Sequence, residues 1–178
     1  QWLRTPSLFS YIRNLDTEWK REVSRILPEV KSELSEPIED ASPKPPTLQR
    51  QHLFEALSRA LLASGKPLLL LLDDMQWTDE ETLQWLAFLF RFAPHSKLLV
   101  VGTIRQEEID ANPFLRDFLL EMRREDFASE TMLGPLQEAE TLSIAESIAG
   151  RSLSQKEASR LHNETEGNPL FVVESVRA

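Results

Sequence analysis

Pro67-Leu68-Leu69-Leu70-Leu71-Leu72-Asp73-Asp74 decides how this chain is read: five leucines behind a proline and ahead of two adjacent acids. A continuous apolar run closed by carboxylates suits a central strand of a parallel sheet, buried on both faces. Ligands of open α/β sheets collect beyond the carboxyl ends of such strands. Two acids at that end have the oxygen chemistry to hold a magnesium ion and to orient a water beside a nucleotide phosphate. Acids also finish strands and start helices in ordinary structural roles, so Asp-Asp alone carries little. The leucine run before the pair and a capped helix after it favour the functional reading.

Working outward, Thr78-Asp79-Glu80-Glu81 has the form of a capping box led by Thr78, opening a helix that runs through Trp85 and Phe88 to about Phe92. Lys97 to Arg105 is a second buried strand of the same character, with Arg105 at its carboxyl end. If the two strands are neighbours, the Arg105 guanidinium lies near the same crevice, within reach of a terminal phosphate. Thr103, two residues earlier, points to the same face. Asn112 caps a further helix with Pro113 in its first turn, where a missing amide hydrogen costs nothing. Residues 127–133 are a weaker strand candidate before Gly134-Pro135.

Upstream, Leu8, Ile12, Leu15, Trp19, Val23 and Ile26 recur at steps of three and four, which predicts an amphipathic helix up to Pro28. Residues 36–46 are a proline-rich loop. A second helix carries Leu53, Phe54, Leu57 and Leu61 and ends near Gly65. Downstream the pattern is helical: Gln137 to Ala149, then Ser154 to Glu166 behind a capping box of Ser154 with Glu157. Gly167-Asn168-Pro169 reads as a sharp junction, with Gly closing one helix, Asn capping the next and Pro opening it. The expected fold is therefore α/β: a partial parallel-sheet core over residues 1–134, followed over 135–178 by the start of a helical lid domain.

The bulk properties narrow the function. At 178 residues the chain is long enough to bury a sizeable core. A net charge of −9 argues against a nucleic-acid surface. The densest basic cluster, Arg116 to Arg124, is interleaved with Asp117, Glu121, Glu125 and Asp126 and reads as a solvated helix face. The lack of cysteine removes disulfide and thiol chemistry and suits a cytoplasmic setting. No apolar run reaches the roughly 18 residues of a membrane span. Gln1 stands where an initiator Met is expected, and the chain is read as excised from a longer protein. His52, His95 and His162 lack metal-ligand spacing, and no serine sits in a nucleophile-elbow context. Trp77 and Trp85 read as packing residues.

A phosphate cradle needs several backbone amides converging on the anion, as a G-x-x-x-x-G-K-S/T loop provides. The glycines are Gly65, Gly102, Gly134, Gly150 and Gly167, and none makes such a loop. Gly65-Lys66 is followed by Pro67 and enters a strand, whereas a P-loop leaves a strand and enters a helix.

Taken together, the motifs resemble STAND-type P-loop NTPases, relatives of AAA+ proteins that include ATPase modules of large bacterial transcriptional regulators. Residues 70–79, Leu-Leu-Leu-Asp-Asp-Met-Gln-Trp-Thr-Asp, are similar to that family's Walker B region. Val100 to Arg105 resembles its sensor-1 strand, Leu133-Gly134-Pro135-Leu136 the passage into its helical domain, and Glu166 to Phe171 its G-x-P motif. The resemblance implies that Asp73 coordinates magnesium, Asp74 is the catalytic or water-orienting acid, and Arg105 senses the γ-phosphate. It also implies that Thr103 and Gly167 assist nucleotide binding and that Pro169 contacts the base. ATP and Mg²⁺ are then ligands of the parent protein, and this chain alone, without the Walker A loop, is expected to be inactive and to self-associate. The alternative is a degenerate, non-catalytic interaction module. A metal-dependent phosphotransfer site made by Asp73 and Asp74 alone is a third, weaker reading.

Overall fold

The computed structural model describes residues 12, 13, 15–33 and 45–177. The chain divides into two compact units, one ending at Ser129 and the other running from Glu130.

The first unit is built on the leucine strand. β1 (Leu68–Leu72) pairs in parallel with β2 (Leu98–Gly102), with Leu68 opposite Leu98 and Leu72 opposite Gly102. A parallel pair needs a crossover, and α3 (Glu80–Phe92) supplies it. Alternate residues of a strand face opposite sides. Leu70 and Leu72 pack with Met75, with Leu83 and Leu86 of α3, and with Leu115 of α4 (Pro113–Arg124).

The other face differs from the expectation of burial on both sides. Leu69, Leu71, Leu99 and Val101 are 54%, 68%, 61% and 43% exposed. α3 and α4 pack on one side only, and among the described residues nothing screens the opposite side. The composition of the run thus reports a strand made to be covered twice, of which the described residues cover one face.

Before β1, α1 (Thr17–Val23) packs on α2 (Pro46–Leu62) around Ile12, Val23, Leu27, Val30, Ala56 and Ala60. The long predicted helix is shorter than its periodicity suggests. Ser24 donates its hydroxyl to the Arg21 carbonyl at 2.7 Å, a local bond that competes with helix propagation. The chain then tightens, leaves Ile26 45% exposed, and continues as a 3-10 turn at Pro28–Glu33. Leu8 and residues 36–44 of the proline loop lie outside the described residues, and Pro46 already belongs to α2.

Two local readings are corrected. Asp79, not Thr78, caps α3: its carboxylate accepts from the Thr82 N–H at 2.9 Å and from the Thr82 hydroxyl at 2.9 Å. Those bonds hold the Asp79 carboxyl below its ordinary range. Aspartate at the helix start gains from the helix dipole as well as from the bond, which threonine does not. Residues 127–133 form no strand; Met132 and Leu133 are 65% and 91% exposed. An extended segment becomes a strand only when a neighbour takes its backbone bonds, and no ladder partner meets this one among the described residues.

The second unit contains α5 (Glu138–Ala149), α6 (Gln155–Thr165) and α7 (Pro169–Arg177) around Thr141, Ala145, Ala158, Thr165 and Val172. The predicted capping box is present: the Glu157 N–H donates to the Ser154 hydroxyl at 3.3 Å, and the Ser154 N–H donates to Glu157 at 2.8 Å. Bonds from the Ser154 backbone and hydroxyl, then Arg151, lower the Glu157 carboxyl from 4.5 to about 2. Because the folded-state value is depressed, the stabilisation is complete above about 4.5 and is lost as pH falls towards 2. Glu157→Gln keeps an acceptor for the Ser154 N–H but removes the titration. Its urea midpoint should therefore fall less steeply than that of the parent between about pH 5 and 2.

Candidate functional site

Parallel pairing in this register brings the ends of β1 and β2 together, so Asp73 emerges beside Thr103. The ladder runs on past the strands: the Thr103 N–H donates to the Leu72 carbonyl at 2.9 Å, and the Met75 N–H to the Thr103 carbonyl at 2.9 Å. Between these bonds the Thr103 hydroxyl serves both acids. It donates to Asp73 Oδ1 and accepts from the Asp74 N–H at 2.9 Å. One hydroxyl thereby fixes the side chain of the first acid and the backbone of the second.

Asp74 adopts φ 55° and ψ 50°. This left-handed region is sparsely used by residues other than glycine, costs of order 1–2 kcal/mol for most of them, and is tolerated best by Asn and Asp. It turns the chain sharply out of β1 into the short 3-10 turn Met75–Trp77. Such outliers gather at sites where a side chain is aimed for a purpose. Asp74 Oδ1 accepts from Gln76 Nε2 at 2.8 Å and lies 3.4 Å from Arg105 Nε. The guanidinium is also 3.7 Å from Glu108 and 5.8 Å from the centroid of the Trp77 ring.

The structure thus brings four of the singled-out residues, Asp73, Asp74, Thr103 and Arg105, to one edge of the sheet. Gly167 and Pro169 belong to the second unit. There Glu166 and Gly167 take φ 51° and 72° at the end of α6, and the Leu136 N–H donates to the Gly167 carbonyl at 2.8 Å. Asn168 Oδ1 accepts from the N–H of Leu170 at 3.0 Å and of Phe171 at 3.4 Å, capping α7 behind Pro169. The junction read from Gly-Asn-Pro is present in each part.

Three features went unread in the sequence. Gln76 is 5% exposed and bonded at both ends of its side chain; its only local sign is a polar residue two places after the acid. Asn112 caps α4 as its place before Pro113 indicates, accepting from the Leu115 N–H at 3.1 Å, but its further role is unread there. Its Nδ2 also donates to the carbonyls of Gln76 and Thr78, both at 3.0 Å, which ties α4 to the turn after β1. Of the two tryptophans read as core or inter-element packing, Trp77 is 70% exposed and lies against Arg105, while Trp85 packs into the α3 cluster.

The donor set at this edge is all oxygen: the Asp73 and Asp74 carboxylates and the Thr103 hydroxyl. Among the described residues no group of three or more His, Cys, Asp or Glu could cage a metal. Magnesium seldom needs such a cage, since it keeps several waters and binds through one or two carboxylates plus substrate phosphates. The edge fits that mode. A groove of about 730 Å³ between α2, α3 and α4, lined by Phe54, Leu83, Phe88, Phe114 and Phe118, includes none of the four residues. Its lining is apolar with an ion-paired rim, which suits packing more than phosphate chemistry.

A family model described as the AAA ATPase domain matches residues 1–101. That is more than half of the chain, and the chain belongs to this family. The match takes in β1 with Asp73 and Asp74; Thr103, Arg105 and the whole second unit lie beyond it. No curated protein and no solved structure matches the chain. No helix among the described residues is long and apolar enough to cross a membrane.

Proposed function

We propose that this chain is the part beyond the P-loop of a STAND-type regulatory switch that binds and hydrolyses ATP, within a larger transcriptional or signalling regulator. In this reading β1 and the acids after it are the Walker B segment, and Arg105 is the sensor-1 arginine. The observation that carries it is the Thr103 clamp: one hydroxyl joins the carboxylate of Asp73 to the backbone of Asp74, with Arg105 on the Asp74 carboxylate. Such an edge can receive a hydrated cation, a water and a terminal phosphate together.

Asp73 would hold Mg²⁺ through water, supported by Thr103; the ion would neutralise phosphate charge in the parent. Asp74 orients the attacking water. Arg105 rests on Asp74 and exchanges that partner for a γ-phosphate, a change of contact that can be relayed as a switch. By the resemblance alone, Pro169, behind the Gly167 junction, would contact the base in the parent. The phosphate cradle itself has no counterpart in these residues, so in this reading it is supplied by a P-loop elsewhere in the parent. Arg105→Ala in the P-loop-containing parent should weaken ATP binding about 10–100-fold, the size of a lost charge-assisted bond, and leave ADP binding nearly unchanged. Equal weakening of both by calorimetry would remove Arg105 from the γ-phosphate.

The exposed sheet face favours a second reading, a non-catalytic interaction module. Leu69, Leu71, Leu99 and Val101 make a contiguous apolar surface of a kind that isolated soluble chains seldom display. Either reading has this chain self-associate through that face and its strand edges. Light scattering at high concentration should give a mass above the monomer that Leu71→Lys with Val101→Lys lowers; a monodisperse monomer contradicts the proposal. With its net charge of −9, the segment makes no direct nucleic-acid contact in this reading.

A further inference from the structure

We propose that Gln76 is a positioning residue, setting the Asp74 carboxylate and the Arg105 segment in register with one another. The inference deepens the ATPase reading and rests on it. Gln76 is 5% exposed, and each end of its amide is engaged by a different half of the site. Nε2 donates to Asp74 Oδ1 at 2.8 Å, and Oε1 accepts from the Arg105 backbone N–H at 3.3 Å. The amide cannot be turned over: that would set Oε1 against a carboxylate and Nε2 against an N–H donor. Its main chain is held as well, since the Gln76 carbonyl accepts from Asn112 Nδ2 at 3.0 Å.

The chemistry requires one donor and one acceptor at a fixed separation. Glutamate in the same shape keeps the acceptor for Arg105 but presents a carboxylate to Asp74. Methionine keeps the length and loses both bonds. Asp74 sits in a left-handed conformation with 32% of its side chain exposed, and its Oδ1 meets the half-exposed Arg105 guanidinium on the solvent side, which leaves the carboxylate in need of a fixed partner. Gln76 supplies one, from the buried side. The same amide holds the start of the segment that carries the Arg105 guanidinium. Movement of Arg105 towards a phosphate is thereby coupled to the orientation of Asp74 through a single side chain. Gln76 touches neither nucleotide nor water in this account and acts through Asp74 and Arg105.

The test is steady-state ATP hydrolysis by the P-loop-containing parent protein, its Gln76→Met, Gln76→Glu and Asp74→Asn variants, with thermal melting of each. Gln76→Met should lower kcat about 10–100-fold, the usual scale for a lost supporting bond, with KM for Mg·ATP within about two-fold. Gln76→Glu should lower kcat further, because two carboxylates face one another. Both should melt cooperatively. If Asp74→Asn stops turnover while Gln76→Met turns over like the parent, the Gln76 inference is overturned and the site reading stands. If Asp74→Asn turns over normally, or the parent itself does not hydrolyse ATP, the site reading fails and this inference with it. A raised KM with unchanged kcat, or loss of cooperative melting in both Gln76 variants, assigns the residue to binding or to folding and overturns the proposal.

Discussion

Asp74→Asn should lower ATP turnover by the P-loop-containing parent about 10²–10⁴-fold, with little change in folding. Asparagine is among the few residues at ease in the left-handed conformation that Asp74 occupies at φ 55°, so the turn out of β1 survives. Its side-chain oxygen still accepts from Gln76. What it loses is negative charge. The stability at stake is one ion pair to Arg105 whose side chains are 55% and 32% exposed, worth about 0–1 kcal/mol. A loss of 10²–10⁴ in rate corresponds to about 2.7–5.5 kcal/mol of barrier. The catalytic effect therefore exceeds the structural one several-fold, and the two separate cleanly: turnover falls and the melting temperature holds. Asp74→Ala is a poorer probe, since alanine adds backbone strain of about 1–2 kcal/mol to the lost carboxylate. Comparable turnover by Asp74→Asn and the parent would remove Asp74 from the chemistry.

Gly167→Ala should be among the most damaging single-methyl additions in the second unit. The residue has φ 72°, and a Cβ there would lie 2.3 Å from the Leu136 carbonyl oxygen and 3.0 Å from the Leu136 nitrogen. Those atoms are backbone, and the Leu136 N–H is already bonded to the Gly167 carbonyl, so they have little room to withdraw. Left-handed strain of about 1–2 kcal/mol adds to overpacking of about 1–3 kcal/mol. The sum, about 2–5 kcal/mol, is a large fraction of what a small unit has. Circular dichroism should show the melting midpoint falling by roughly 10 °C or more. A midpoint within about 1 °C of the parent would contradict the close approach. By contrast, a Cβ on Gly102 meets the Sδ of Met75 at 2.2 Å, the far part of a flexible side chain, so Gly102→Ala should cost less. Gly167 has a sufficient structural reason to be glycine whether or not a nucleotide lies near it.

These two positions show what the sequence disclosed and what it withheld. Local chemistry was legible wherever one residue decides the outcome. Asn112 before Pro113, Ser154 with Glu157, and Asn168 before Pro169 all cap as their spacing indicates. The leucine run indicates a strand of a parallel sheet, and segment 97–105 indicates its neighbour. What failed depended on neighbours that local patterns do not record. Residues 127–133 have strand composition and no strand beside them. The second face of β1 has the leucines for a covering layer that the described residues do not provide. Thr78 and Asp79 are both good caps, and the added charge of Asp79 at the helix start decides between them. At the site, the acids and Arg105 could be named only in combination, because each has ordinary structural uses alone and it is the two adjoining strand ends that bring them together. Gln76 could not, because a neutral amide acquires its role only from the two groups that happen to meet it.

In the proposed reading these residues form the hydrolytic edge of an ATP switch whose phosphate cradle lies elsewhere in the parent. Calorimetry with Mg·ATP tests it most directly, comparing this chain with the same chain extended through a P-loop. Heat of binding is expected from the extended protein and none from the chain alone, since most phosphate contacts come from loop amides. Tight binding by the chain alone would contradict the assignment of the cradle, and no binding by either would leave the exposed leucine face, not nucleotide, as its functional surface.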